Sequence, residues 1–217
     1  MPLNLQLVIG NRNYSSWSLR AWLAMRQSNL PFDEIFVPLN RPETDGELEK
    51  HSPSRLVPVL KWNGATIWDS LAIIETLAEM SPDAGIWPAD AVARAVARSV
   101  CAEMHSGFFR LRRDMPMDIR TDRAGTQHTE GALADVAKIA ARWAECRDRF
   151  GDSGAFLFGA WSAADIMYAP VVSRFRTYGV PLDAKIQTYM DAVWNQADMA
   201  AWVAAARDEP YEIELFS

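Results

Sequence analysis

The sequence predicts a fold in two parts: a mixed α/β block over roughly the first 80 residues, then an all-helical block. Three observations lead there. Segments with the period of a strand alternate with segments of helical period in the first part. A stretch containing proline and glycine, Pro82 to Pro88, then interrupts the pattern. Past it only helical periodicity remains. The chain has 217 residues, 49% hydrophobic and 23% charged, enough for a core of its own and unlike a disordered or disulfide-stapled chain. Lys and Arg number 22 against 28 Asp and Glu, a formal net charge of -6, which disfavours nucleic acid and anionic membranes as partners.

Leu3, Leu5, Leu7 and Ile9 recur at every second position, the period of a half-buried strand, and Gly10 ends it. Leu19, Trp22, Leu23 and Leu30 follow at helical spacing, and Pro31 closes the segment. Phe32 to Val37 is a short second strand, and Glu43 to His51 a polar helix-like piece before Pro53. Strand, helix, strand in that order favours a parallel pair. Val57 to Trp62 and Ala65 to Trp68 flank Asn63-Gly64, a hairpin turn in which both positions tolerate positive φ. Asp69-Ser70 caps a helix carrying Leu71, Ile74, Leu77 and Ala78. The order so far is βαβαββα. Beyond the break, Ala91 to Arg113, Gly131 to Phe150, Ala163 to Thr177 and Ala184 to Arg207 are helical, four or five helices in all.

Cys101 and Cys146 lie far apart in helical segments with no CxxC spacing, so neither a disulfide framework nor a metal site is expected. The N-terminus lacks a basic region followed by an apolar run, and no stretch reaches the ~20 apolar residues of a bilayer span. The expectation is a cytoplasmic protein without a membrane partner. Nine tryptophans are unusual and suggest aromatic packing around a cleft or an interface.

Several segments combine a structural and a chemical use. Ser15 and Ser16 sit in the loop between the first strand and the first helix, where the carboxyl ends of strands and a helix N-terminus favour anions. Taken alone, the segment is first of all a helix N-cap. Pro58 begins a sheet strand without an N–H to give the ladder, and with a cis bond Val57 would offer its backbone to an extended ligand. At the next helix start, Ser70 and the first-turn amides match a carboxylate and Asp69 an ammonium group, together one α-amino acid; capping is the equal alternative. Ser162 and Asp165 form a capping box variant with Trp161 and Ile166 as a hydrophobic staple, a folding device. His51, His105 and His128 suggest no metal site and stand beside no evident nucleophile and carboxylate; His105 interrupts an apolar helical pattern and is placed to face a cleft.

Taken in order, the serine loop, Leu56-Val57-Pro58, Asp69-Ser70 and the helix start from Gly159 to Asp165 resemble the glutathione transferase superfamily over nearly the whole chain. The likeness is greatest to the zeta, or maleylacetoacetate isomerase, class, on Tyr14-Ser15-Ser16, Ser52-Pro53, Val57-Pro58, Gly64, Ser70 to Glu75, and Trp87 to Asp90 with Arg94 and Arg98. The resemblance implies a thioredoxin-like, glutathione-binding domain over residues 1–81, a linker over 82–88, and a helical domain over 89–217 that forms the electrophile pocket. It implies glutathione as co-substrate, a homodimer, and detoxification by adding the glutathione thiolate to a small hydrophobic electrophile. Ser15 or Ser16 would hydrogen-bond the sulfur, Val57 with cis Pro58 the cysteinyl backbone, and Asp69 with Ser70 the γ-glutamyl end. Where the zeta pattern has Ser-Ser-Cys, this chain has Trp17 after its serines. That departure places the transferase reading ahead of cis-trans isomerisation, and the retained serines with Asp69-Ser70 place it ahead of a non-catalytic binding or regulatory role. Arg174 and Arg176 lie in the helix where that class carries an arginine for substrate carboxylate, at a spacing that does not match, and receive no role.

Overall fold

The computed structural model describes residues 4–214; Leu3, counted in the first strand, lies outside the described residues. The first block runs β1 (Leu5–Ile9), α1 (Ser16–Ser28), β2 (Asp33–Phe36), α2 (Thr44–Glu49), β3 (Val59–Trp62), β4 (Ala65–Ile67) and α3 (Ser70–Met80). The order βαβαββα is the one its periodicities predict.

The four strands stand in the order β2-β1-β3-β4, with β1 parallel to β2 and antiparallel to β3. The side-chain period of two divides the apolar residues between the sheet's faces. Leu5, Leu7, Ile9 and Leu60 join the main core, while Val8 and Val59 pack with Val37 and with Leu48 of α2 on the other side. Helix α1 ends where Asn29 takes a left-handed φ of 56°, before Pro31. Pairing of β3 with β1 starts at Val59 opposite Val8, two residues later than the apolar run suggests, because Pro58 has no N–H for the ladder. At the hairpin Asn63 and Gly64 have φ of 48° and 82°, the positive values that this turn demands.

The helical block contains α4 (Ala91–Ser106), α5 (Phe109–Asp114), α6 (Glu130–Phe150), α7 (Ala163–Thr177), α8 (Ala184–Trp194) and α9 (Ala197–Asp208). Two expected single helices are each broken in two. Between α4 and α5, Gly107 donates to the Glu103 carbonyl, and a Cβ on it would lie 2.7 Å from that same oxygen. Phe108 follows with φ 59°. Between α8 and α9, Gln196 caps the new helix by accepting from Met199 N–H at 2.8 Å. A 3₁₀ turn at Pro82–Ala84 separates α3 from the chain leading to α4.

Helix α7 runs through the middle of this block and α1 packs against it. Its N-terminus is built as a capping box: Asp165 accepts from the backbone N–H groups of Ser162 (2.9 Å) and Leu157 (3.0 Å) and from the Ser162 hydroxyl (3.1 Å). Trp161 rests edge-on against Phe156, ring centroids 5.1 Å apart. Trp143 of α6 is enclosed by Tyr168, Phe175 and Tyr189. The apolar core is continuous from the sheet through α1 and α7 to α9. Among the described residues no helix is long and apolar enough to cross a membrane.

Candidate functional site

A cleft of about 280 Å³ opens where the N-terminus of α1, the chain before β3, the N-terminus of α3 and the end of α4 meet. Val57, Pro58, Asp69 and Ser70 line it together, joined by Ser54, Leu56, Trp68, Trp17 and His105. The Val57–Pro58 peptide is cis, and Val57 lies outside the ladder that begins at Val59. Its backbone polar groups therefore belong to the cleft wall and not to the sheet.

At the start of α3 the Asp69 side chain caps the helix, accepting from Leu71 N–H at 2.8 Å through Oδ1. Its Oδ2 faces His105 Nε2 at 2.5 Å, with the ring nitrogen as donor because a carboxylate can only accept. This joins the first block to α4. The sequence places no histidine beside a carboxylate, and this pair corrects that expectation: His105 and Asp69 are 36 residues apart and meet only in three dimensions. Ser70 is buried, and its Oγ has no partner within the protein. A buried hydroxyl without a partner costs free energy until something supplies one, and here it stands beside the first-turn amides of an 11-residue helix.

Ser15 and Ser16 are not among the residues that line the cleft; they lie buried at the N-terminus of α1, next in sequence to Trp17, which does line it. Ser15 is the N-cap of α1: its Oγ accepts from Ser18 N–H at 3.3 Å and donates to Ser18 Oγ at 2.8 Å. Ser16 Oγ accepts from Arg174 Nη2 at 3.3 Å. The Ser15 proton is thus engaged inside the cap, whereas Ser16 keeps its own proton to give.

Around these serines stands a cluster of arginines that the sequence does not bring together. The Arg20 and Arg112 guanidinium carbons lie 4.4 and 5.0 Å from the Trp17 ring centroid, within cation–π range. The His105 ring is 5.3 Å from the same indole. The guanidinium of Arg20 donates to the Met167 carbonyl, that of Arg112 to the carbonyls of Met104 and His105, and that of Arg174 to the carbonyls of Met115 and Pro170. Burial, and next to it the charge of Arg112, pushes Arg174 down to about 10, so it stays charged at neutral pH. Burial lowers Arg20 too, followed by the charges of Arg174 and Arg112. None of the three forms a salt bridge among the described residues. Carbonyl dipoles hold them in place, and none of the three lines the cleft itself. Arg176 instead pairs with Asp191 on the surface. Burial pushes the Cys101 thiol up and that of Cys146 to about 11, which leaves both as inert thiols.

Residues 14–80 match the family model for the glutathione S-transferase N-terminal domain, and residues 126–205 the model for its C-terminal domain. A probable maleylacetoacetate isomerase of Caenorhabditis elegans is 35% identical over 97 residues, 45% of this chain and 44% of that protein. Maleylacetoacetate isomerase of Rattus norvegicus is 35% identical over 102 residues, 45% of each chain. The matched segment thus spans less than half the length of these curated relatives. A crystal structure of a glutathione transferase homologue from Burkholderia, with bound glutathione, superposes with a TM-score of 0.74 at 25% identity, covering 95% of this chain and 100% of that one. Glutathione transferase Omega 2S of Trametes versicolor, at 18% identity and a TM-score of 0.72 over 95% of this chain and 96% of that one, shares the fold.

Proposed function

The chain belongs to the glutathione S-transferase family, and from that premise we propose that it is a glutathione-dependent enzyme isomerising a small unsaturated diacid of the maleylacetoacetate type. The observation that carries this reading is the group of arginines around Trp17 and Ser16, none of which forms a salt bridge among the described residues. A neutral hydrophobic electrophile has no use for them; an anionic one supplies the missing charge. The likeness to two isomerases supports the same choice.

The cleft fits the tripeptide. Ser70 Oγ and the first-turn amides of α3 would receive the γ-glutamyl carboxylate, Asp69 its ammonium group, and the Val57 backbone the cysteinyl unit, as an added strand pairs. Glutathione, when bound, supplies the nucleophile: its thiolate forms a carbon–sulfur bond at the alkene, the former double bond rotates as a single bond, and the carbon–sulfur bond breaks again. Ser16 does not line the cleft but adjoins Trp17, which does; with its oxygen already accepting from Arg174, it would donate its proton toward a sulfur seated beside that indole and favour the thiolate. A thiol of ordinary pKa about 8.5 is mostly protonated at neutral pH, so a shift of one or two units, about 1.4 kcal/mol each, decides how much nucleophile exists. Arg174, Arg112 and Arg20, grouped behind Trp17, would draw the substrate carboxylates to the cleft through their positive field. The homodimer, the cytoplasmic setting and a domain boundary within residues 82–88 form part of this proposal.

Trp17 favours a second reading. An indole beside the sulfur restricts rotation of the adduct, and an adduct that cannot rotate is protonated and released, which is transfer. Maleylacetone with glutathione separates the two: isomerisation leaves the free thiol unchanged, whereas transfer consumes it mole for mole. If calorimetry at millimolar glutathione shows no binding, both readings fall. Ser16→Ala is expected to lower kcat by about 10- to 100-fold with the KM for glutathione nearly unchanged, and Ser15→Ala to act more weakly through the cap. The reverse ranking would transfer the donor role to Ser15.

A further inference from the structure

The loop between β1 and α1 is held from outside its own sheet. Asn11 is its pivot: its carbonyl accepts from the N–H groups of Tyr14 (3.1 Å) and Ser15 (2.7 Å), and its Oδ1 accepts from Leu39 N–H at 2.7 Å. The Asn11 amide in turn donates to Glu209 Oε1 at 2.8 Å, and the N–H of Arg12 donates to Glu209 Oε2 at 2.8 Å. Glu209 is buried, directly after α9, so a carboxylate from the far end of the chain is spent entirely on two adjacent loop residues. The tail carrying it is fastened by Arg120, which donates to the carbonyls of Glu209 (2.6 Å) and Tyr211 (2.7 Å) and to the Tyr14 hydroxyl (3.1 Å). From the other side Trp202 Nε1 donates to the Arg12 carbonyl at 3.0 Å, and Arg120 N–H to Asn13 Oδ1 at 2.9 Å.

We propose that Glu209 is a positioning residue for the serine loop, setting through Asn11 where Ser15 and Ser16 stand at the start of α1; this rests on the glutathione-dependent reading above. The physical chain has two links. Glu209 fixes Asn11 and Arg12 through a two-oxygen, charge-assisted grip that restrains both distance and rotation. Asn11 fixes Ser15 through the 2.7 Å bond to its N–H. Ser16 is the next residue, so a displaced pivot carries the hydroxyl away from the sulfur, and a misplacement of about 1 Å at a reacting centre costs on the order of 100-fold in rate. Both side-chain oxygens of Glu209 end on the loop and none on a helix, which is the arrangement of a residue that places the loop.

The test compares Glu209→Ala and Glu209→Gln, reading amide hydrogen exchange at Tyr14 and Ser15 in the protein without glutathione, and the pH profile of kcat/KM with it. With Ala, exchange at Ser15 is expected to quicken at least about tenfold, kcat to fall about tenfold, and the thiol midpoint to move to higher pH, with the KM for glutathione within about twofold. Gln restores most of this, since its carbonyl oxygen still accepts from Arg12 N–H. Glu103→Gln, which breaks an ion pair with Lys138 and Arg142 far from the loop, shifts neither readout. A folded Glu209→Ala protein with unchanged exchange at Ser15 and an unmoved midpoint overturns the proposal. Should that variant not fold, Arg120→Met frees the tail, and unchanged values there overturn it equally. Absence of glutathione binding to the unaltered protein defeats the functional reading alone, because the exchange measurement does not depend on it.

Discussion

Among the aspartates at helix starts in this protein, Asp165 and Asp69 are used oppositely by the fold. Asp165, in the first turn of α7, is completely buried and accepts from Leu157 N–H, Ser162 N–H and the Ser162 hydroxyl. Asp69, N-cap of α3, leaves 44% of its side chain exposed at the cleft, caps only Leu71 N–H, and turns its other oxygen to His105. The same residue type serves folding where its acceptor capacity is used up inside the core, and is available for the proposed recognition where part of it faces an opening. Neighbouring serines follow suit: Ser162 hydrogen-bonds Asp165, while Ser70 beside Asp69 is buried without a partner.

Mutation breaks this contrast most sharply at Asp165. Asp165→Ala strands buried N–H groups and a hydroxyl in the core, and about 3–5 kcal/mol of stability is expected to be lost in urea denaturation. A loss under 1 kcal/mol would reduce Asp165 to an ordinary surface-type cap.

The pH dependence sharpens the contrast next. Burial, opposed by the hydrogen bonds it receives, raises Asp165 from 3.8 to about 6. Because the folded value lies above the unfolded one, the folded state keeps the proton longer. This contribution is fully present below about pH 4, declines as pH rises to about 6, and is flat above. The stability of the native protein relative to Asp165→Asn should therefore fall by up to about 3 kcal/mol across that window. A difference constant with pH would contradict it.

Asp69 should show the mirror image. Asp69→Ala is expected to cost about 1 kcal/mol of stability, the ordinary worth of an N-cap. Its glutathione affinity should fall by about 2 kcal/mol, or some 30-fold, from loss of a charged partner for the ammonium group. Calorimetry and denaturation on one preparation decide it; a variant that loses stability and keeps affinity would make Asp69 only a cap.

Much of the fold was legible because it depends on local pattern. The alternation from Leu5 to Ile9, the turn at Asn63-Gly64, and the caps at Asp69 and Ser162 all act within a few residues, and all are found where the sequence places them. The helix breaks at Gly107 and Gln196 were not legible, since neither interrupts helical periodicity enough to outweigh the apolar residues on either side. Of the site, the sequence supplies Val57, Pro58, Asp69 and Ser70 to one cleft. It marks His105 as able to face a cleft, from a polar interruption in an apolar helix, but not its contact with Asp69; it names Arg174 without a role and does not bring it together with Arg20 and Arg112.

A local signal fixes dihedral angles, caps and the face of an element that is buried, because those energies arise between residues close along the chain; the sequence alone determined the βαβαββα order and the helical block after it. Tertiary packing alone decided the site's charge. Arg174 reaches Ser16 across 158 positions, Arg20 donates to a carbonyl 147 positions away, and Glu209 reaches Asn11 across 198. No periodicity records such pairs, since a guanidinium or carboxylate chooses its partner by distance and burial in the folded chain.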